Sequence, residues 1–543
     1  MIRWTTALIL VGVLIAAVLF DRVEQDPNED QLIETVVRPT PAMAAEQTLG
    51  SSWFCAVGSA GEGTYANGEV IVTNVGDQDA VANLDIRTSE GPGPSQRLEI
   101  EAGTSEIVPL ANLGTFDAAG VAVEFIGGDG VVSHRLTTAA GVTEGPCASE
   151  ASSSWFFAGG ATTRDTRHYV ALLNPFANDV VFTATFQTPT RTRQPSELEA
   201  RTVPAQSVLL IEVGEFVARE PMVATTIETV AGGQLVVERL LVVDGALGPF
   251  GAAVETGVAS PAQSWVMPAG RIHTGGDQTL TVFNPTDSVA EVDVRLDPVN
   301  ADDRLLYGLV PIELTVQPGR LATIDLRSTA DEFALLLPYD VGLTVTSANG
   351  VPIVAHRWQA QPGINEEAVG ANVNEKRRQD DGEVPADELP PALVGPEYVQ
   401  PTARQGVASS HGSPMASTRW IAASSSLLPD NGTAVVVFGE EGALVEVRLL
   451  ISGSSSSPVR ASVDVTGRAI IPIDPIAARA AVVVTADRPV VAEIQLVTPE
   501  SFDAVALVPT LMPARAEQMD DAEQLDDAEQ LETTDQPDDG ADQ

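Results

Sequence analysis

The third quarter of the chain shows its pattern most plainly. Gln278-Thr279-Leu280-Thr281-Val282-Phe283 alternates polar and apolar residues, Asn284-Pro285-Thr286-Asp287 turns, and Ala290 to Leu296 alternates again. A period of two puts the apolar side chains on one face, so the pattern predicts a hairpin with one side buried. Ile312 to Val316 and Leu321 to Leu326 follow across Gln317-Pro318-Gly319-Arg320. A last pair, Val341 to Thr346 and Pro352 to Trp358, meets across Ser347-Ala348-Asn349-Gly350, whose Asn-Gly suits a tight primed turn. With the apolar segment around Trp265, this makes about seven strands.

The same design occurs four times. Each copy opens on a tryptophan (Trp53, Trp155, Trp265, Trp420), and about twenty residues later a strand-like run ends at Asn74, Asn174, Asn284 or Gly439. Recurrence at a fixed spacing marks one module used repeatedly. Seven short strands with regular turns and no helical period predict an all-β chain, a tandem array of four immunoglobulin-like antiparallel β-sandwiches. The alternative is a β-propeller in which each copy supplies nearly two blades. Odd strand counts and a long insertion before copy four argue against that closure.

Boundaries follow from changes in pattern. The four sandwiches are expected at 49–148, 149–259, 260–360 and 416–512. A lead-in occupies 23–48. The charged, proline-bearing stretch 361–415, with Asn374 to Glu383 at its centre, is expected to be a flexible linker. Residues 513–543 repeat Ala-Glu-Gln hexads rich in Asp and are expected to be a disordered acidic tail. At the other end, Arg3 precedes an apolar run from Trp4 to Phe20, and Asp21, Arg22 and Glu24 follow. Seventeen residues at about 1.5 Å each span roughly 25 Å, which suits a short transmembrane helix at 1–22. Ala42-Met43-Ala44 resembles a signal-peptidase site but stands too far behind the apolar run, so an uncleaved anchor is expected, with release after cleavage as the alternative. Arg3 on the short side places the N-terminus in the cytoplasm and the bulk of the chain outside.

Charge and cysteine usage agree with an outside address. A net charge of −45 repels nucleic acid and anionic headgroups, so neither is an expected partner, and Lys376 is the one lysine in the chain. Cys55 and Cys147 are the two cysteines and stand near the ends of copy one. They are expected to form a disulfide, which the chain-entropy model values at about 4 to 5 kcal/mol for a loop of this size.

Candidate chemistry is sparse. The sequence contains no His-Glu-x-x-His, Gly-x-Ser-x-Gly, Cys-x-x-Cys or P-loop pattern. No catalytic residue, metal ligand or cofactor is expected. The acidic tail could meet calcium, but it lacks the spacing of a loop site. A polar pair recurs near the end of each copy, His134-Arg135, Glu238-Arg239, His356-Arg357 and, without the arginine, Glu493-Ile494. Its plain reading is a strand with one side chain paired and the other solvated. The tryptophans read as core plugs rather than sugar platforms, and Asn74, Asn174 and Asn284 as turn caps.

Trp155-Phe156-Phe157-Ala158-Gly159-Gly160, Ala171-Leu172-Leu173-Asn174-Pro175 and Leu235-Val236-Val237-Glu238-Arg239 together resemble the β-sandwich repeats of bacterial surface proteins. Over roughly residues 1 to 512 the chain resembles a family of actinobacterial membrane-anchored extracytoplasmic proteins of unknown function. Members are often encoded beside a glycosyltransferase, so the resemblance implies a link to envelope polysaccharide and carries no catalytic residue. The expectation is a non-catalytic envelope protein that acts as a scaffold or interaction platform, with envelope proteins or glycans as partners. The alternatives are a carbohydrate-binding accessory to polysaccharide assembly and a hydrolase of unrecognised type.

Overall fold

The structure, a computed structural model, describes residues 41–43, 50–126, 129–246, 249–272, 277–298, 311–332, 339–361, 406–426, 432–451, 459–473, 479–497, 502–506 and 508–509. The expected anchor, most of the lead-in and linker, and the acidic tail lie outside these residues. The described residues all fall within one compact unit, Pro39–Gln543. It is nearly all β, in antiparallel sheets.

Copy one shows the plan. Its strands are β1 (Gly50–Cys55), β2 (Asn67–Asn74), β3 (Ala80–Thr88), β4 (Gly91–Ile100), β5 (Ser105–Pro109), β6 (Ala119–Ile126), β7 (Gly130–Thr138) and β8 (Gly141–Pro146). One sheet runs β1-β6-β3-β4 and the other β5-β2-β7-β8. Along β3 the alternation decides burial: Ala80, Ala82, Leu84 and Ile86 are buried, while Val81, Asn83 and Asp85 are only half-buried. Those side chains meet Val70, Val72 and Val132 of the other sheet in one core with Trp53. Copies two and three repeat both sheets, strand for strand, with short additions. The plan therefore has eight strands per copy, one more than the alternation predicts.

The repeated asparagines fasten one sheet to the other. Asn74 Nδ2 donates to the Gln78 carbonyl at 2.7 Å and to that of Ile100, which ends β4 in the opposite sheet, at 3.2 Å. Its Oδ1 accepts the Gly76 amide at 3.0 Å. Asn284 likewise reaches Ser288 and Val316, at 2.7 and 2.9 Å, and Asn174 reaches Asn178 and Val203. All three are buried, and each completes a turn and bonds a carbonyl of the opposite sheet.

Copy four, which has glycine at that position, is built differently. Gly439 lies inside one continuous strand, Gly432–Ile451, rather than in a turn. Two more long strands, Val459–Ile473 and Arg479–Val497, pair with it, and irregularities replace the hairpin turns. No asparagine side chain stands there to close a turn, and the pairing register shifts beside Gly439 instead.

The eighth strand corrects the expected linker. Gly406–Ser410, inside 361–415, is buried and pairs with the seventh strand of copy three, Val354–Gln361. That seventh strand would otherwise leave its edge unpaired. The eighth strands of the four copies (β8, Phe250–Thr256, Gly406–Ser410 and Phe502–Ala506) then pack on one another in cyclic order, the fourth returning to the first. Closure, weighed against by strand count and insertion, therefore occurs, through the eighth strands of the four copies rather than between propeller blades. The first and last described segments also meet. Met43 of the lead-in donates its amide to the Pro509 carbonyl at 2.8 Å and is buried in the core of copy one, beside Ile421 and Val483 of copy four. Arg419 of copy four also pairs with Asp129 of copy one at 3.4 Å.

Cys55 and Cys147 are joined by a disulfide spanning 92 residues, which ties the end of β1 to the exit from β8. Replacing both with alanine is expected to lower stability by about 2–4 kcal/mol, because the unfolded chain regains the closed-loop entropy. Urea unfolding of the full chain, wild type against the double variant without reductant, checks this.

Candidate functional site

The recurring chemistry lies where the copies meet. In copies two to four the indole Nε1 of the tryptophan donates to a carbonyl at or near the start of the seventh strand: Trp155 to Leu235, Trp265 to Ile353 and Trp420 to Val490, at 2.7–2.8 Å. Three residues further along that strand stand Glu238, His356 and Glu493. Each faces the preceding copy, at the backbone three or four residues past that copy's tryptophan.

In the first seam Glu238 Oε2 accepts the amides of Ala56 and Val57 at 2.7 and 2.8 Å. His134 stands 3.7 Å from the same oxygen and donates from Nδ1 to the Val57 carbonyl at 3.1 Å. Burial pushes the Glu238 carboxyl up, against the opposing pull of His134 and the two amides. In the third seam Glu493 Oε2 accepts the Ala269 amide at 2.8 Å and Oε1 accepts the Ser410 hydroxyl at 2.6 Å, with Arg357 at 3.5 Å. Arg468 of copy four closes this seam by donating from Nε and Nη2 to the carbonyls of Pro268 and Gly270. Burial pushes its guanidinium down to about 10.

The second seam carries histidine where the others carry glutamate. Arg239 Nη2 donates to Glu255 Oε2 at 2.5 Å, His356 Nε2 at 3.0 Å and Ser409 Oγ at 3.2 Å. Ser409 Oγ lies 2.8 Å from His356 Nε2 and 2.9 Å from Glu255 Oε2. His411 donates from Nδ1 to the Ala355 carbonyl at 3.2 Å, and its Nε2 is 3.4 Å from Glu255 Oε2.

Serine, histidine and glutamate together raise the question of a catalytic triad. The Ser409–His356 distance suits a nucleophile and its base. The acid, however, lies on the wrong side of the ring. Glu255 is 3.7 Å from Nε2, the nitrogen that faces the serine, whereas Nδ1 has no hydrogen-bond partner among the described residues. A relay needs the acid at Nδ1, to hold the tautomer that leaves Nε2 free to take the serine proton. Here a guanidinium, which can only donate, occupies that lone pair, and Ser409 is buried. The arrangement is an interlocked hydrogen-bond network with the geometry of a joint.

Both members of the polar pairs are buried in copies two and three: Glu238 is 0% exposed, and Arg239, His356 and Arg357 are each 1% exposed. This corrects the reading of one paired and one solvated side chain. The outer face of the seventh strand meets a neighbouring copy instead of water. Arg135 and Arg239 pair with Glu144 and Glu255, the residues directly opposite on their own eighth strands. In copy three Ser410 holds that position, and Arg357 turns to Glu493 of copy four. The four repeat tryptophans are buried.

Glu255 and Ser409 lie on eighth strands that alternation does not reveal, and His411 directly follows one of them. One signal was readable: glycine recurs five residues after the tryptophan in three copies, at Gly58, Gly160 and Gly270. A Cβ on Gly270 would fall 2.7 Å from Arg357 Nη1, and one on Gly160 3.2 Å from Arg239 Nη1. In both copies the small residue makes room for the arginine.

Residues 133–368 match a family of unknown function, DUF5719. The matched stretch runs from the seventh strand of copy one to just past the seventh strand of copy three and contains the residues of the second seam up to His356. No curated protein matches. Among solved structures, Thermotoga maritima 1070 is 18% identical over 20% of this chain and 86% of its own, with a TM-score of 0.16. A Streptomyces avermitilis α-L-rhamnosidase complexed with L-rhamnose is 10% identical over 62% of this chain and 46% of its own, with a TM-score of 0.13. A calcium-binding mutant of Bacteroides uniformis β-glucuronidase 2 is 10% identical over 42% of this chain and 29% of its own, with a TM-score of 0.12. Likenesses this weak carry no functional weight. No described helix is long and apolar enough to cross a membrane, and the Trp4 to Phe20 run lies outside the described residues.

Proposed function

We propose that this chain is a non-catalytic, membrane-anchored envelope protein of the actinobacterial family it resembles, and that it holds four immunoglobulin-like sandwiches outside the cytoplasm as one head. Its role is scaffolding or interaction at the cell surface. The observation behind this reading is that the repeated polar chemistry is used up inside the seams. Glutamates, arginines and histidines that could have formed a binding site at each copy instead join the copies to one another. A carbohydrate-binding accessory would need exposed aromatic platforms. Among the described residues the exposed large apolar side chains are Ile126, Phe176, Val230, Val289 and Leu444, of which one is aromatic.

The test is to immobilise the full chain and challenge it with fractionated envelope from its own source. The scaffold reading expects retention of protease-sensitive partners and no retention of purified envelope polysaccharide. Retention of polysaccharide alone transfers the role to the accessory reading. Release of sugar or peptide fragments, abolished by a single Asp or Glu substitution, overturns the non-catalytic reading.

A further inference from the structure

The chain has five histidines. The four that are described, His134, His168, His356 and His411, are buried, and all four lie at seams. Three of them gather in one place. His356, His411 and His168 surround Arg239 in the second seam, together with Glu255, Ser409 and the ring of Phe157. The rings of His356 and His411 are 5.3 Å apart, and Arg239 stands 5.1 Å from the centre of Phe157.

We propose that the seam between copies two and three is an acid-sensitive latch, closed by neutral His168 and His356 packed around one buried arginine and opened when they take up protons. The hydrogen bonds determine how each ring responds. His356 Nε2 accepts from Arg239, so a proton there sets two donors face to face at 3.0 Å. Neither ring nitrogen of His168 has a hydrogen-bond partner among the described residues, and Arg239 Nη1 is beside it at Gly160, so a charge there would be buried next to a cation. His411 differs, because its Nε2 faces Glu255 and a first proton there is tolerated. The other charge facing the cluster is Arg357, which also disfavours protonation of His356.

Burial first, and Arg239 next, hold His168 and His356 well below the usual histidine range. Burial also lowers His411, with Glu255 opposing. Once the seam opens, each ring returns to about 6.5. The open state therefore binds more protons below that pH. Stability of this seam is full above about pH 6.5 and is lost as pH falls, tenfold in the closing equilibrium per pH unit for each histidine that takes up a proton. Glu238 gives the first seam the opposite sign. A carboxyl pushed up by burial is protonated more readily in the closed state, so that seam gains as pH falls. The third seam, where Glu493 replaces His356, contains no described histidine facing that residue and serves as the reference.

Hydrogen exchange on the full chain between pH 8 and pH 5, corrected for intrinsic amide rates, tests the latch. With two histidines charging on opening, protection at residues 158–160 and 406–408 is expected to fall about 100-fold per pH unit below pH 6.5 relative to Ala269. His356→Glu, the residue used in both other seams, should remove about a tenfold share of that slope, and His168→Phe another. Equal pH dependence in the second and third seams of the wild type overturns the proposal, as does a wild-type slope in His168→Phe. The wild-type arm decides the question even if a variant fails to fold.

Discussion

Glu493→Ala should destabilise the chain by about 3–5 kcal/mol and do so at the seam between copies three and four. The carboxylate is buried and holds three groups at once: the Ala269 amide, the Ser410 hydroxyl and the Arg357 guanidinium. Removing it leaves an uncompensated buried cation and an amide without its acceptor, the costly half of a broken buried pair. Glu493→Gln keeps one carbonyl acceptor and should cost about half as much. Chemical denaturation gives the total, and exchange at Ala269, whose amide Glu493 accepts, shows where it falls. A loss under about 1 kcal/mol for the alanine variant would mean that the seam adds nothing to the stability of the head.

The second large effect is steric. At Gly159 an added Cβ would stand 2.1 Å from His356 Nδ1 and 2.7 Å from Cε1. The ring cannot retreat, because Arg239, Ser409 and His411 press on its other sides. Gly159→Ala should therefore cost about 3 kcal/mol, and the second seam should lose protection before the sandwiches themselves do. The double variant Gly159→Ala/His356→Ala removes the obstruction and should recover part of the loss, whereas strictly additive costs would show that the methyl group and the imidazole do not meet.

These two positions show how far the chain could be read unaided. Alternation from Ala80 to Arg87, or from Ala290 to Leu296, reports which side chains share a face, and the structure buries that face. The eighth strands were hidden for a physical reason. Gly406-Val407-Ala408-Ser409-Ser410 is covered on both sides, so its residues need only be small and no alternation survives. The asparagines were legible as turn residues, but their hold on Ile100, Val203 and Val316 was not, because those carbonyls belong to the opposite sheet.

The polar pairs mark the boundary most clearly. Nothing in Glu238-Arg239 distinguishes a solvated strand edge from a buried joint, since the deciding partners of Glu238, Ala56 and Val57, lie more than 180 residues away. By itself the sequence determined what is local or periodic: an all-β chain, a recurring module, a tryptophan at a fixed place in all four copies and an asparagine in the first three. The tertiary structure decided that the copies close on themselves, that an expected linker contains a core strand, and that three of the four described histidines gather in one seam. Strand pattern depends on neighbours two residues apart, whereas the mating of whole modules depends on surfaces that come together only after each module has folded.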